Sequence, residues 1–480
     1  MQNKPRLLLI NPWIYDFTAF DLWSKPMGLL YIAAYLRKSG YQIDFIDCMD
    51  KYHPELLQRQ KRPYPKLKKF GTGPFHREIV NKPEILNFIP RHYSRYGMPE
   101  DIFIRSLQRL SKPDAILLTS HMTYWYPGPR RAAELVRELF PGVPLILGGI
   151  YATLMPDHAR RIIAPNYLIE GPGELQIAWL LSEILPEATQ SIEPLAALDD
   201  FPAPAFDLYS HLDYLVIMTS RGCPYHCTFC ATDKISGTFA QRKPDYVTEE
   251  ILQYTHRFHV RDVAFYDDAL LINKKRRLFP ILESLNKVRT NFRFHTPNGL
   301  HAREIDEETA QLFFRSGFTT IRLSFESVSP DRLEDMKNKV TPNDLETAAE
   351  NLERVGYRRK MLEAYVLMGL PDQPVEEIYQ SILFVHSLGM KVRLASFSPI
   401  PGTIDFDRAV NRGLFPADAD PLLMNKTIYP LYRTTAFYRK FHSIRQFTNV
   451  LNQGIEREVN MLGQSELRSA WQKMIARMDS

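Results

Sequence analysis

Cys223, Cys227 and Cys230 fall within eight residues, in the segment Arg221-Gly222-Cys223-Pro224-Tyr225-His226-Cys227-Thr228-Phe229-Cys230. The spacing C-x3-C-x2-C supplies three thiolates and no fourth. A structural zinc site takes four ligands and is closed. Iron–sulfur clusters take cysteine thiolates on short spacings of this kind, and a four-iron cluster held by three cysteines keeps one iron open for another ligand. A zinc loop completed by a distant histidine is the plainer alternative, since His226 and twelve other histidines are present. Gly222 and Pro224 break regular structure just after the apolar run from Tyr214 to Thr219, which reads as a strand, so the cysteines sit on a loop.

The chain that must position this loop has 480 residues, too long for one core and suited to two or three domains. Four cysteines, three of them clustered, do not make a disulfide framework. Lys4 and Arg6 precede only the short run Leu7–Ile10, which ends at Asn11-Pro12, so no signal peptide is expected. The apolar stretch Met27–Leu36 is too short to span a bilayer. These features predict a cytoplasmic protein. The net charge of +5 is uneven: residues 51–100 carry eleven Lys or Arg against four Glu, and the rest of the chain is slightly acidic. That segment also holds seven Phe or Tyr. Basic plus aromatic residues raise nucleic acid as a partner. An insertion that packs its aromatics on the main fold and solvates its charges is preferred, because no stacking motif is present.

Residues 1–185 alternate short apolar strands (Arg6–Asn11, Gln42–Cys48, Ala115–Ser120, Val143–Leu147, Tyr167–Glu170) with helices (Gly28–Ser39, Pro129–Phe140). The basic insertion at 51–110 ends in a helix near Glu100–Leu110. This pattern predicts an α/β domain, a Rossmann-like doubly wound parallel sheet buried on both faces. Residues 186–212, rich in Pro, Asp and Ala, read as a linker. From 213 to 406 the alternation resumes, with strands at 214–219, 262–266, 292–296, 319–325, 361–367 and 391–397. The helices between them are Thr248–His256, Asp306–Ser316, Asn343–Val355 and Val375–Leu388. Six such units predict an open (β/α)6 partial TIM barrel, whose active site lies at the carboxyl ends of the strands. The cysteine loop follows the first strand and so lies at that end. Residues 407–480 read as a helical C-terminal region, with Phe437, Phe441 and Phe447 as core.

Other strand ends carry polar groups. Phe265-Tyr266-Asp267-Asp268 follows the second strand, and Asn298-Gly299 the third. In Arg322-Leu323-Ser324-Phe325-Glu326-Ser327, alternation puts Arg322, Ser324 and Glu326 on one face. Three polar residues facing a barrel lumen are costly unless they bind something. A helix-capping role is the plainer reading of Asp267 or Asp268.

A C-x3-C-x2-aromatic-C loop after a first barrel strand, with Phe229 as the aromatic, resembles the radical S-adenosylmethionine enzymes. The resemblance implies a 4Fe–4S cluster on Cys223, Cys227 and Cys230, S-adenosylmethionine bound at its open iron, and reductive cleavage to a 5′-deoxyadenosyl radical. It further implies cofactor contacts from Asp267, Asp268, Asn298, Ser324, Glu326 and Pro401. Here Asp-Asp replaces the family's Gly-Gly-Glu-like turn, as in its cobalamin-linked branch. Met368-Gly369-Leu370-Pro371 resembles the family's glycine-proline turn, with Asp372-Gln373 replacing Gly-Glu. Ser396–Thr403 resembles the segment that closes over adenine.

The domain before the barrel resembles the cobalamin-binding domain of cobalamin-dependent radical enzymes, through Pro26–Leu36, Gly148-Gly149 and Glu170-Gly171-Pro172-Gly173-Glu174. The resemblance implies cobalamin contacts from Asn11, Ser120, Met122, Gly148, Gly149, Glu170, Gly171 and Gly173. Gly149 in particular is expected to leave room for the nucleotide tail. The Asp-x-His-x-x-Gly signature that supplies cobalt with a histidine in cobalamin mutases is absent; His53 has the wrong spacing. Ser120-His121-Met122-Thr123-Tyr124-Trp125 is a further segment that could face the corrin. The implied function is a cobalamin-dependent radical C-methyltransferase acting on an unactivated carbon of a small-molecule or lipid substrate, fed by an electron donor such as flavodoxin or ferredoxin. No catalytic side chain is assigned. Three rivals are weighed. One is a radical enzyme of the same architecture doing rearrangement, cyclisation or other C–C chemistry without net methylation. Another is a tRNA methylthiotransferase, which needs three more cysteines where only Cys48 stands. The third is a non-catalytic cobalamin- or metal-sensing protein.

Overall fold

The structure is a computed structural model that describes residues 4–186, 195, 197–288, 290–337, 339–458 and 464–476. Its first sheet has five parallel strands: β1 (Arg6–Asn11), β2 (Gln42–Asp47), β3 (Ala115–Leu118), β4 (Leu145–Leu147) and β5 (Tyr167–Leu168), in the order β5-β4-β3-β1-β2. β1, Arg-Leu-Leu-Leu-Ile-Asn, buries five of its six residues, as a strand covered on both faces must. β4 starts two residues later than the apolar run suggests, because Pro144 has no N–H to give a ladder; its carbonyl still accepts from Ile116 at 2.9 Å. Helices α1 (Met27–Lys38) and α2 (Gly173–Ile184) pack on one face. Leu29, Ala33 and Leu36 from α1 and Ile177 and Leu181 from α2 meet Leu7, Leu9, Leu117 and Ile146 there.

Two compact units divide the chain. The first holds residues 1–84, 91–222 and 232–263; the second holds 85–90, 223–231 and 264–480. The segment 186–212, read as a linker, contributes to the first unit's core where it is described. Ala205 joins the cluster just named, Phe206 is fully buried, and Asp207 pairs with Arg37 at 2.6 Å. Residues 187–194 and 196 lie outside the described residues. In the insertion, Ser94–Tyr96 pairs antiparallel with Ile14–Asp16 and Arg77–Ile79. Phe75 and Tyr96 pack against Ile14, whereas Tyr64 is 69% exposed. Part of the segment's charge is met internally: Arg95 pairs with Glu78 and Glu100, and Lys51 with Asp21.

The second sheet comprises β6 (Leu215–Ile217), β7 (Asp262–Phe265), β8 (Arg293–His295), β9 (Leu300–His301), β10 (Phe318–Glu326), β11 (Leu362–Met368) and β12 (Lys391–Ser396). Its order is β6-β7-β8-β10-β11-β12, with β9 against β10. β7 straddles the division, with Asp262 and Val263 in the first unit and Ala264 and Phe265 in the second. This is the open (β/α)6 arrangement, with β9 as a short addition that the sequence pattern does not mark. Phe265, Phe294 and Phe318 stack together, and Phe313 lies 3.8 Å, centroid to centroid, from Phe318. The helices between strands begin on good caps. Asp306 accepts from Thr309 N–H, and Thr341 and Asp344 form a reciprocal capping box, each worth about 1 kcal/mol. Past residue 406 the chain is helical, notably Thr435–Arg457. Phe441 is core and Phe447 is half-buried, but Phe437 is 42% exposed. Among the described residues no helix is long and apolar enough to cross a membrane.

Candidate functional site

Within the second unit the cysteine loop is a tight turn in which Cys230 N–H donates to the Cys227 carbonyl at 3.0 Å. Thr228, between them, is clamped by the segment after the last strand. Its Oγ1 donates to Asp405 Oδ2 at 2.7 Å, and its carbonyl accepts from Asp405 N–H at 3.0 Å. Asp405 is buried and stands in the helix Ile404–Asn411, capped by Thr403. The segment expected to close over adenine thus also fixes the cysteines. Pro401, half-buried, lies in the turn before that cap.

All three thiols are free. Burial pushes Cys227 up to about 11 and raises Cys223, with the Lys339 charge opposing both. Thiols held this way stay protonated at neutral pH unless a cation takes the proton's place. Among the described residues no three His, Cys, Asp or Glu gather tightly enough to hold a single ion. Three free thiols on one clamped turn fit the corners of an iron–sulfur cluster by donor chemistry.

Lys339 was not singled out from the sequence, since its turn carries no motif. Burial alone would lower its amine, but Cys227, Glu326, Cys223 and Cys230 outweigh that and raise it. Its Nζ lies 5.7 Å from the centre of the Tyr225 ring. His301, on β9, was also missed. It is buried, meets Tyr225 edge-on at 4.5 Å, and has both ring nitrogens without a hydrogen-bond partner. Desolvation and then the Lys339 charge push it down to about 3, so it is a neutral ring beneath the loop.

Glu326 ends β10 in an unusual way. The β10–β11 register shifts between Ser324 and Glu326, and Glu326 has φ 77°. The one-to-one register therefore breaks after Ser324 and resumes at Glu326, which pairs with Val366. Ser324 is buried, Phe325 packs on Phe384 at 5.2 Å, and the half-buried Glu326 is electrostatically coupled to Cys227 and Lys339. Burial raises its carboxyl, with Lys339 opposing. A positive φ at a non-glycine residue costs about 1–3 kcal/mol and clusters at functional positions. Gly299 allows the close approach of Ser324, whose Oγ would lie 2.3 Å from a Cβ there. Asn298 donates to the carbonyls of Tyr266 and Asp267 at 3.0 and 3.3 Å, so it braces the Asp-Asp turn. Asp267 is buried, and Asp268 keeps contact with solvent although protein surrounds most of its carboxyl. Desolvation and the neighbouring Asp267 push Asp268 up to about 6.

Arg322 departs from expectation. It does not wait for a ligand: its Nε donates to Glu363 at 2.9 Å, and Arg393 joins the same carboxylate at 2.8 Å. Gln373, where the family motif has Glu, accepts from Gly369 N–H at 2.8 Å and donates to Leu367 O at 3.1 Å, bracing the glycine-proline turn. The three thiols are thus electrostatically coupled to one ammonium, with Glu326 and the Asp267-Asp268 pair in the same environment. A zwitterion such as an amino acid needs both charges met when it is desolvated.

The first unit has a separate cavity of about 320 Å³ at the carboxyl ends of its strands, where open α/β sheets bind ligands. Of the residues expected there, Ser120, Gly148, Gly149, Gly171 and Gly173 line it. Asn11, Met122 and Glu170 do not. Asn11 stands one residue behind the wall, bonded to His121; Met122 is 38% exposed; Glu170 pairs on the surface with Arg160 at 2.7 Å. A Cβ at Gly28 or Gly171 would meet nothing within 4 Å, so the backbone there is an open cradle. Gly149 is different: at φ +96° its Cβ would fall 2.2 Å from the Ser120 carbonyl. It serves packing against Ser120 rather than room for a ligand. Leu117, Ile146, Ile169 and Ile177 make the slot apolar. His121, Glu174 and Arg221 line it too, the last two as an ion pair.

A parallel (β/α)6 sheet with a three-cysteine loop after its first strand, preceded by a Rossmann-like domain with a glycine-lined slot, defines a radical S-adenosylmethionine architecture. Residues 217–385 match the Radical SAM superfamily. An uncharacterised methyltransferase of Pyrococcus horikoshii is 24% identical over 66% of this chain and 74% of its own length. The cytidylyl-2-hydroxyethylphosphonate methyltransferase of Streptomyces wedmorensis is 22% identical over 85% of this chain and 82% of its own. TsrM, a radical S-adenosylmethionine methyltransferase from Kitasatospora setae solved with cobalamin and a 4Fe–4S cluster, superposes with TM-score 0.62 at 15% identity, covering 85% of this chain and 78% of that one. That last likeness is one of fold. The chain thus carries a Radical SAM superfamily domain over residues 217–385 and is an enzyme.

Proposed function

We propose that this enzyme is a cobalamin-dependent radical C-methyltransferase. The observation that carries the reading is the joint presence, in one chain, of the clamped three-thiol loop and the glycine-cradled slot of the first unit. The slot fits cobalamin's tail by its apolar walls and by Gly28 and Gly171, where a side chain would enter open space. When bound, the cluster supplies an electron to S-adenosylmethionine, and cobalamin supplies a methyl carrier. The chain's own residues do the rest. Cys223, Cys227 and Cys230 hold the cluster. Glu326, with Asp267 and Asp268, takes the ammonium of the cofactor's methionine, and Lys339 takes its carboxylate. Ser324, Asn298 and Pro401 shape the remaining wall. The substrate is a small molecule or lipid, the electron donor a flavodoxin- or ferredoxin-type protein, and the setting a reducing cytoplasm.

The test needs no substrate identity at the outset. Anaerobically reconstituted protein, loaded with cobalamin and given reductant, S-adenosylmethionine and candidate acceptors, should yield both 5′-deoxyadenosine and S-adenosylhomocysteine, the second only when cobalamin is present. If 5′-deoxyadenosine forms and S-adenosylhomocysteine never depends on cobalamin, methyl transfer through cobalamin is excluded; if no S-adenosylhomocysteine forms at all, rearrangement or cyclisation on the same barrel takes its place.

A further inference from the structure

His121 lines the cavity of the first unit, and a buried chain of hydrogen bonds fixes which of its nitrogens carries the proton. Asp47, 6% exposed, accepts from Tyr209 Oη at 2.6 Å and from Met49 N–H at 2.8 Å. It also accepts from Asn11 Nδ2 at 2.6 Å. An ionised carboxylate is an acceptor only, so the Asn11 amide must turn its NH2 toward Asp47 and its carbonyl away. That carbonyl oxygen lies 2.8 Å from His121 Nε2. Nε2 therefore carries the hydrogen, and Nδ1 carries the lone pair. Among the described residues Nδ1 has no hydrogen-bond partner. Burial lowers the ring's proton affinity, so the neutral form holds at physiological pH.

The backbone that presents this ring is rigid. Ser120 Oγ donates to the Gly148 carbonyl at 2.7 Å, and Ser120 O accepts from Ile150 N–H at 2.9 Å. A neutral imidazole whose far N–H is held by a carbonyl backed by a carboxylate is the arrangement that orients a histidine toward a metal. The simple alternative is packing, since the ring of Trp125 lies 6.5 Å away. Packing alone does not call for a relay of three buried polar groups, because such groups are costly to bury.

On the reading that this cavity holds cobalamin, we infer that His121 Nδ1 is the protein ligand to its cobalt, with Asn11 and Asp47 as positioning residues. The contiguous signature of the mutases is absent, but its parts, a histidine and a supporting carboxylate, are assembled in space from the ends of β3, β1 and β2.

The test is electron paramagnetic resonance of the full-length protein loaded with unlabelled cob(II)alamin, after growth with 15N-histidine. A single protein 15N on cobalt splits each cobalt line into two, where the unlabelled protein gives three. His121→Ala, and His121→Gln as the conservative variant, should keep cobalamin bound and lose the doublet. Three lines from labelled protein would assign the cofactor's own base, and unsplit lines would assign water or no ligand. A doublet that survives both variants would assign another histidine. Each of these overturns the inference while leaving cobalamin binding intact. Wild-type protein that retains no cobalamin overturns the functional reading beneath it, and the two failures are thus distinct.

Discussion

Lys339 is a positive side chain whose charge acts on all three cysteines, and its removal should separate cofactor affinity from cluster assembly. A charge-assisted hydrogen bond is worth about 1.5–3 kcal/mol, so Lys339→Met should weaken S-adenosylmethionine binding about 10- to 100-fold. Iron content should stay at the wild-type level, which equilibrium binding and iron analysis would check; loss of iron in this variant would make Lys339 a structural partner of the loop. Asp268 gives a pH signature. Its carboxyl is pushed up to about 6, so it is neutral below that pH and charged above it. An ammonium is held by the charged form. The dissociation constant for S-adenosylmethionine should therefore rise as pH falls through about 6, and Asp268→Asn should flatten that profile and weaken binding at pH 8. An unchanged profile in the variant would remove Asp268 from the site. The cysteines were legible because three in one loop leave few alternatives. Lys339 and His301 were not, because what gives them meaning is a neighbour far away in sequence. Arg322 was misread for the same reason: its partner Glu363, and the Arg393 that shares that carboxylate, lie on the two following strands.

At the level of elements, the strands of both sheets except β9 could be read to within two residues at each end, because apolar runs bounded by glycine and proline leave little freedom. β10 shows where this stops. Its residues follow the in-out order through Glu326, yet its register against β11 shifts between Ser324 and Glu326, and no local pattern marks that bulge. The glycine turns show the same limit. Gly149 and Gly28 look equally permissive on paper, but one touches Ser120 and the other open space. Gly28→Leu should fill the slot from a helical position and lower cobalamin retention after gel filtration, with an unfolding midpoint at or above the wild-type value, since leucine favours helix more than glycine. Gly149→Ala should do the reverse of a clean cavity block. Backbone strain of about 1–3 kcal/mol, added to the contact with Ser120, should lower the midpoint whether or not cobalamin is present. A Gly149→Ala protein of full stability would mean that the turn after β4 can relax.

Across the whole molecule, the residues assigned to the two cofactors fall in different compact units. All the residues assigned to S-adenosylmethionine and the cluster belong to the second unit, and all those lining the slot belong to the first. Loading should therefore be separable. The triple variant Cys223→Ala, Cys227→Ala, Cys230→Ala should contain no iron and make no 5′-deoxyadenosine, yet retain cobalamin at the wild-type level by absorbance. Loss of both together would show that the first unit depends on the cluster to fold. The unit boundaries were harder to read than the folds themselves. A stretch rich in proline and aspartate resembles a linker by composition, but Ala205 and Phe206 are apolar enough to be drawn into the first core.

The clamp between Thr228 and Asp405 also sets a clock. The two residues are 177 positions apart, and a ribosome adds about 5–20 residues per second. After Thr228 is made, the cysteine turn thus waits on the order of ten to thirty seconds for the residue that will pin it, and longer still until that residue clears the exit tunnel. During that interval three thiols hang on an untied loop, open to oxygen and to stray metal ions. If the cluster sits on this turn as proposed, insertion of iron and sulfur into the fixed loop should be a late event, after the last strand has been synthesised. Release of nascent chains shortened before residue 405 should yield protein whose cysteines react with thiol reagents far faster than those of the finished enzyme.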